Sequence, residues 1–187
     1  MRLYFIVIVI IVNLGKAEQV YGRIVKKGSY RTNLIKVRDC DKTTLPEPEA
    51  IPGKIETFYI EIYNASKTKS FLRGNLTLIY HHSGVSFQSV SYMWRDGKWK
   101  RYVALPHIDC KNPVIAFMAK ILNISYDPEK CSFQKGVYTL PMLDMNRVEH
   151  MWTQEREYGR VLWKSEVMTK YNTLFCVMLE TLVEPMY

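Results

Sequence analysis

The strongest constraint on this chain is a side-chain period of two, broken at short intervals by turn residues. From Ile55 to Tyr63, Phe58, Ile60 and Ile62 alternate with Thr57, Tyr59 and Glu61; from Asn75 to Tyr80, Leu76, Leu78 and Tyr80 alternate with Thr77 and Ile79. Successive side chains on a strand point to opposite faces, so both stretches predict strands with one buried and one wet side. Val85 to Trp94 continues the pattern, and Asp96-Gly97 ahead of Trp99 to Val103 supplies the turn residues of a tight hairpin. Gly159 to Thr169 and Thr173 to Val183 form another pair, joined by Lys170-Tyr171-Asn172. Strands at this spacing, with no alternating helices, predict an all-β fold, an antiparallel sandwich.

One segment departs from that period. Asn112-Pro113 is followed by Val114, Phe117, Met118, Ile121 and Leu122. A capping residue, a proline at the first helical position and apolar residues at i, i+3, i+4, i+7 and i+8 predict one short amphipathic helix. It either plugs an open side of the sandwich or walls a ligand cavity.

The chain has 187 residues, 48% apolar and 24% charged, within the range of an ordinary globular domain and outside that of collagen, coiled coil or low-complexity tail. Its longest apolar run, Leu3 to Val12, is too short to span a bilayer, which takes about 20 residues. Arg2 before that run, with Gly15 and Ala17 after it, reads as a secretory signal peptide over residues 1–17. Removing those 17 of 187 residues leaves 170, read as a single domain over 18–187. The leader holds Arg2 and Lys16 and no acid, so the formal charge of +8 becomes +6. The densest basic cluster is Lys98, Lys100 and Arg101, read either as a solvated face or as a site for an anionic lipid headgroup. No run of five cations occurs, and entry into the secretory pathway argues against a nucleic-acid partner.

Four cysteines follow the leader: Cys40, Cys110, Cys131 and Cys176. An even count in an oxidising compartment predicts two disulfides, and spacing alone permits three pairings. No CxxC occurs and the four cysteines stand singly along the chain, so neither a zinc site nor any other metal or cofactor is expected. Sequons at Asn64, Asn75 and Asn123 would place those segments at the surface if glycosylated.

A search for catalytic chemistry yields little. There is no nucleophile elbow, and two disulfides would leave no thiolate for attack. His81 and His82 are adjacent, so on a strand they would point to opposite faces, and His107 and His150 lack ligand-spaced partners; all four read as structural or surface histidines. The acid pairs Glu47 and Glu49, and Glu155 and Glu157, lie in polar stretches and read as solvated. No catalytic residue is assigned and no enzyme is expected. Met142 to Trp152 is more informative: Met142, Leu143, Met145, Val148, Met151 and Trp152 are mixed with polar residues and keep no clean period. Such a methionine-rich stretch suits either a lip around a hydrophobic opening, in contact with a membrane, or a loop folded down on the core. Trp94, Trp99 and Trp163 fall in strands and are expected in the core.

The stretch from Glu129 to Pro141, with Cys131-Ser132-Phe133-Gln134-Lys135-Gly136-Val137-Tyr138-Thr139-Leu140-Pro141 at its heart, resembles the ganglioside-activator branch of the ML class of lipid-recognition proteins. Asp39-Cys40-Asp41 with Ile51-Pro52-Gly53-Lys54-Ile55, and Tyr158 to Leu179 around Cys176, fall in the same order. The resemblance implies an immunoglobulin-like β-cup whose sheets part around a lipid cavity, with Cys40 joined to Cys176 and Cys110 to Cys131. It further implies that Trp152 sits on a loop at the cavity mouth. The chain lacks the activator's extra cysteine pairs. Gly97-Lys98-Trp99-Lys100 ahead of Cys110 is similar to an element of insect secreted proteins of contact chemosensation in the same class. The expectation is a non-enzymatic carrier of a glycolipid or other apolar ligand, extracellular or in the lysosomal lumen. A chemosensory binding protein and a closed receptor-binding module are the alternatives; an anionic membrane, a glycosidase or a receptor are the further partners.

Overall fold

The structure, a computed structural model, describes residues 27–40, 57–66, 69–151, 153–170 and 173–186. These form antiparallel sheets and two short helices. Strands β1 (Lys27–Gly28), β2 (Tyr30–Asp39), β3 (Thr57–Asn64), β4 (Ser70–Leu78), β5 (His82–Ser83), β6 (Ser86–Arg95) and β7 (Lys98–Asp109) precede helix α1 (Pro113–Ile121). Then come β8 (Tyr126–Asp127), β9 (Ser132–Phe133), β10 (Gly136–Leu143), helix α2 (Met145–His150), β11 (Arg156–Glu157), β12 (Gly159–Met168) and β13 (Thr173–Pro185). The larger sheet has five strands in the order β2-β13-β12-β6-β7, and a second has three, β10-β4-β3. Two small ribbons, β5-β9-β8 and β1-β11, flank them.

The alternation seen in the sequence sets which sides are buried. Phe58, Leu72, Leu76 and Leu78 are buried, whereas Tyr59, Asn75 and Tyr63 on the other side are exposed. The β6–β7 hairpin turns on Asp96 and Gly97 at φ 53° and 75°, the positive values a two-residue turn of matching twist requires. Tyr80 does not extend the buried row of β4: the strand ends at Leu78 and the ring is exposed.

The five-stranded sheet is buried on both faces. On one face, a core of Phe58, Leu76, Leu78, Leu140, Val167, Leu174 and Phe175 joins it to the three-stranded sheet, with Phe58 and Phe175 stacked at 4.9 Å. Farther along that same face, Tyr30, Met93, Val161 and Val183 form a separate cluster. The opposite face carries Tyr92, Leu162 and Met178, packed with Trp99 and Cys40. Register shows the division, since Val161 pairs with Met93, Val167 with Phe87, and the intervening Leu162 with Tyr92.

The helix after Asn112 forms as expected, the Asn112 side chain accepting from the Val114 N–H at 3.0 Å. Its buried stripe differs from the expected one: Ile115 and Ala119 enter the core with Leu122 beside them, while Val114, Phe117 and Met118 stay half-buried. The helix is apolar around most of its girth, so sequence offered two stripes and packing selected one. The expectation of one helix is also corrected, because half of the Met142 to Trp152 stretch coils into α2. Asp144 caps it, its carboxylate accepting from the Arg147 N–H at 3.3 Å. Trp94 is not a core residue, whereas Trp99 is half-buried against Tyr92, Leu162 and Met178. The two tryptophans meet edge to face at 5.1 Å, with Trp94 40% exposed and the Arg160 guanidinium over both rings.

Candidate functional site

The most concentrated buried polar group lies where α2 closes over one end of the five-stranded sheet. Helix α2 follows β10 directly, and Glu149 on it faces inward at 9% exposure. One carboxylate oxygen of Glu149 accepts from Thr32 Oγ1 at 2.5 Å and from Arg156 Nη1 at 2.6 Å. The Thr32 N–H also donates to Asn146 Oδ1, so α2 is tied to β2 twice. Arg156 comes from β11, which β1 holds by pairing Gly28 with Arg156 and Lys27 with Glu157. Its guanidinium lies 5.7 Å from the Tyr30 ring and 5.6 Å from that of Trp163.

Aromatic and hydrogen-bond contacts complete the clamp. His150 stacks on Tyr30 at 4.4 Å, and the Asn146 carbonyl accepts from His150 Nδ1 at 2.7 Å, which places the proton on that nitrogen. The Tyr30 hydroxyl donates to the Thr153 carbonyl at 3.2 Å. Burial, reinforced by the Glu149 charge and opposed by Arg156, pushes the Tyr30 phenol up to about 12. Glu157, expected to be solvated, is instead buried and paired with Arg95 of the β6–β7 hairpin. Trp163 Nε1 is buried without a hydrogen-bond partner among these groups.

Between this clamp and the apolar core, the inner face carries Ser89, Ser91 and Ser165. Ser91 Oγ donates to the Val103 carbonyl at 3.2 Å; Ser89 and Ser165 hydroxyls lie 2.8 Å apart. These bonds satisfy the hydroxyls within the sheet, and across the same face Ser91 is followed by Trp163 and Leu179, and Ser165 by Val177. A solvent-open depression of about 420 Å³ lies elsewhere, lined by Ser125, Tyr126, Asp127, Pro128, Glu129 and Gln134. Its polar walls do not suit a hydrocarbon chain.

Of the lip residues expected from sequence, Met142 and Met151 flank α2 at 59% and 53% exposure and Met145 is half-buried in its first turn. Trp152 lies outside the described residues, as do residues 1–17. Lys98, Lys100 and Arg101 do not converge on one face. Lys98 is opposite Arg95, Lys100 opposite Met93, and Arg101 opposite Tyr92, which puts Arg101 on the other side of the sheet. Lys100 is bound to Asp96 at 2.6 Å. Cys40 joins Cys176 and Cys110 joins Cys131, the pairing the resemblance implies. Asn64, Asn75 and Asn123 are all exposed.

The described residues contain no group of three or more His, Cys, Asp or Glu placed to hold a metal ion. Sequence reasoning missed the Thr32, Glu149 and Arg156 clamp, because its members come from three separated elements. The available signal was Asp144, a capping residue at the start of a stretch that then spaces Met145, Val148 and Met151 by three. No protein-family model matches the chain, and a search of curated proteins finds no match either.

Proposed function

We propose that this chain is a secreted, non-catalytic carrier that holds an apolar ligand between its two larger sheets, an immunoglobulin-like sandwich opened into a cup of the ML kind. The observation that supports this most is the division of one sheet face into two separate apolar clusters, with Ser89, Ser91 and Ser165 beside Trp163 and Leu179 between them. The three-stranded sheet covers the first cluster and α2 the second, so the sheets need not meet along the whole face. An acyl chain lying over the serines beside Trp163 would join the two clusters, each methylene removed from water contributing about 0.8 kcal/mol. The paired disulfides agree with passage through an oxidising compartment.

On this reading α2 is the lip. Met142, Met145, Met151 and Trp152 contact the membrane while a chain transfers, and Lys98 with Lys100 stands on the side of the sheet where an anionic headgroup would emerge. Arg101, on the other face, is dropped from that role. A glycosidase or a receptor would meet the loaded protein at its outer surface.

Titration of the folded protein with N-phenyl-1-naphthylamine tests the reading. Saturable uptake near one probe per chain, displaced by a fatty acyl lipid, is the expected result; no uptake would leave a closed interaction module. Native mass spectrometry of protein from a secreting cell then identifies any retained ligand, separating a glycolipid from a simpler chemosensory compound. Turnover of a lipid ester by the pure protein would overturn the non-catalytic assignment.

A further inference from the structure

The outer face of the three-stranded sheet exposes aromatic and apolar side chains around the ion pair of Arg73 with Glu61. Tyr59 is 54% and Val137 75% exposed, and Tyr63 opposite Phe71 continues the patch. Asn75 lies at its centre on the middle strand, directly between Tyr59 on β3 and Thr139 on β10. It begins the sequon Asn75-Leu76-Thr77. The neighbouring ring is held in place: the Tyr59 hydroxyl donates to Glu61 Oε2 at 2.6 Å, and Glu61 Oε1 accepts from Arg73 Nε at 2.6 Å. Arg73 in turn lies 4.6 Å over the Tyr63 ring.

We infer that Asn75 carries an N-linked glycan whose first sugar packs on the Tyr59 ring and covers this face. Residues directly opposite on paired strands have β-carbons about 5 Å apart, within reach of a sugar ring attached at the asparagine amide. The apolar C–H side of an N-acetylglucosamine suits a fixed phenol ring, and the hydroxyls face water. In the transfer, Asn75 Nδ2 forms a bond to the anomeric carbon of a lipid-diphosphate-linked oligosaccharide. The bond from that carbon to the diphosphate oxygen breaks, the lipid diphosphate leaves with the bonding pair, and the amide gives up one proton. No oxidant or reductant takes part. Asn75 sits on a strand paired on both sides, and Leu76 is fully buried, so transfer precedes closure of this sheet. The glycan thus adds to the Glu61–Arg73 pair in keeping an exposed aromatic sheet face from self-association. This inference requires only the secretory part of the proposed function and none of the lipid binding.

The test expresses the full chain in a eukaryotic secretory host and maps occupancy by mass spectrometry before and after peptide-N-glycosidase treatment. The expected result is full occupancy at Asn75, with contacts in nuclear magnetic resonance between the N-acetyl methyl and the Tyr59 ring. Stability is then compared across a cycle of Asn75→Gln and Tyr59→Thr. Loss of the glycan should lower the folding constant about threefold to fivefold with Tyr59 present, the range of cross-strand aromatic pairs, and leave it unchanged in the Tyr59→Thr background. Sugar at Asn64 or Asn123 with Asn75 bare would overturn the inference alone. A secreted chain without sugar at any sequon would also overturn it alone, whereas a chain that never reaches the medium would overturn it together with the secretory assignment. If Asn75→Gln fails to fold, wild type trimmed to one sugar still decides: absence of the methyl-to-ring contact overturns the packing.

Discussion

The two ends of one sheet face are closed by different physics. At the first, the three-stranded sheet and α1 bury Leu76, Leu78, Val85 and Leu174 to 2% exposure or less, with rings of Phe58 and Phe175 stacked between the sheets. At the second, α2 is held by Thr32, Asn146, Glu149 and Arg156, with His150 laid on Tyr30. Apolar packing is non-directional and is lost only when surface is exposed to water. A charge clamp is directional and can be broken by one proton, one substitution or one competing acceptor. On the proposed carrier reading, the first end supplies stability and the second is the one that opens.

The largest expected effect comes from breaking the clamp on one side only. Glu149→Ala leaves Arg156 buried without its carboxylate and should cost about 3 to 5 kcal/mol, read by urea denaturation. Replacing both partners with apolar residues of similar size, Glu149→Leu with Arg156→Met, should recover most of that loss. Hydrogen exchange sharpens the point. In Glu149→Ala, protection should fall first in residues 144–151, whereas a uniform fall would show that α2 is not a separate unit.

At the apolar end, Leu76→Ala should cost about 3 kcal/mol through lost burial and the cavity left behind. Its protection loss should be spread through β3, β4 and β13 with α2 following the rest. A loss confined to α2 would erase the distinction between the ends.

The third effect is one of pH. The folded Tyr30 phenol titrates at about 12 against an ordinary value of 10. Its raised value means the stabilisation is complete below about pH 10 and is lost as pH rises toward 12, where the unfolded chain is already ionised. The contribution amounts to about 3 kcal/mol. Tyr30→Phe should flatten that part of the alkaline stability curve, and an unchanged slope would remove Tyr30 from the account. The smallest effect is Asp144→Ala, which removes the α2 cap and should cost about 1 kcal/mol, confined to exchange in the helix.

Much of the sheet is legible in the amino-acid sequence. β3, β6, β12 and β13 fall within a few residues of their expected positions, because half-buried strands must alternate and the alternation is local. Asp96-Gly97 and Asn112-Pro113 are legible for the same reason, since a positive φ and an unpaired helix N–H are settled within a few residues. The site is much less legible. Glu157 reads as solvated because its polar neighbours are adjacent in sequence, while Arg95 is 62 residues away. Trp94 reads as a core residue because strands normally bury tryptophan, yet next to the hairpin turn it is exposed beneath Arg160, and only its partner Trp99 reaches the buried cluster.

The sequence by itself determined the period of the strands, the turn of the hairpin, the start of α1 and the even set of cysteines, all consequences of backbone sterics and local hydrogen bonding. Only the tertiary structure decided which stripe of α1 is buried, that a methionine-rich stretch coils into α2, and that Thr32, Glu149 and Arg156 meet. Those outcomes depend on contacts between different elements, such as that between Thr32 and Glu149, 117 positions apart. No local preference encodes such a meeting. It follows from the stagger and bulges by which whole strands align, and from the cost of burying a charge that pairing alone offsets.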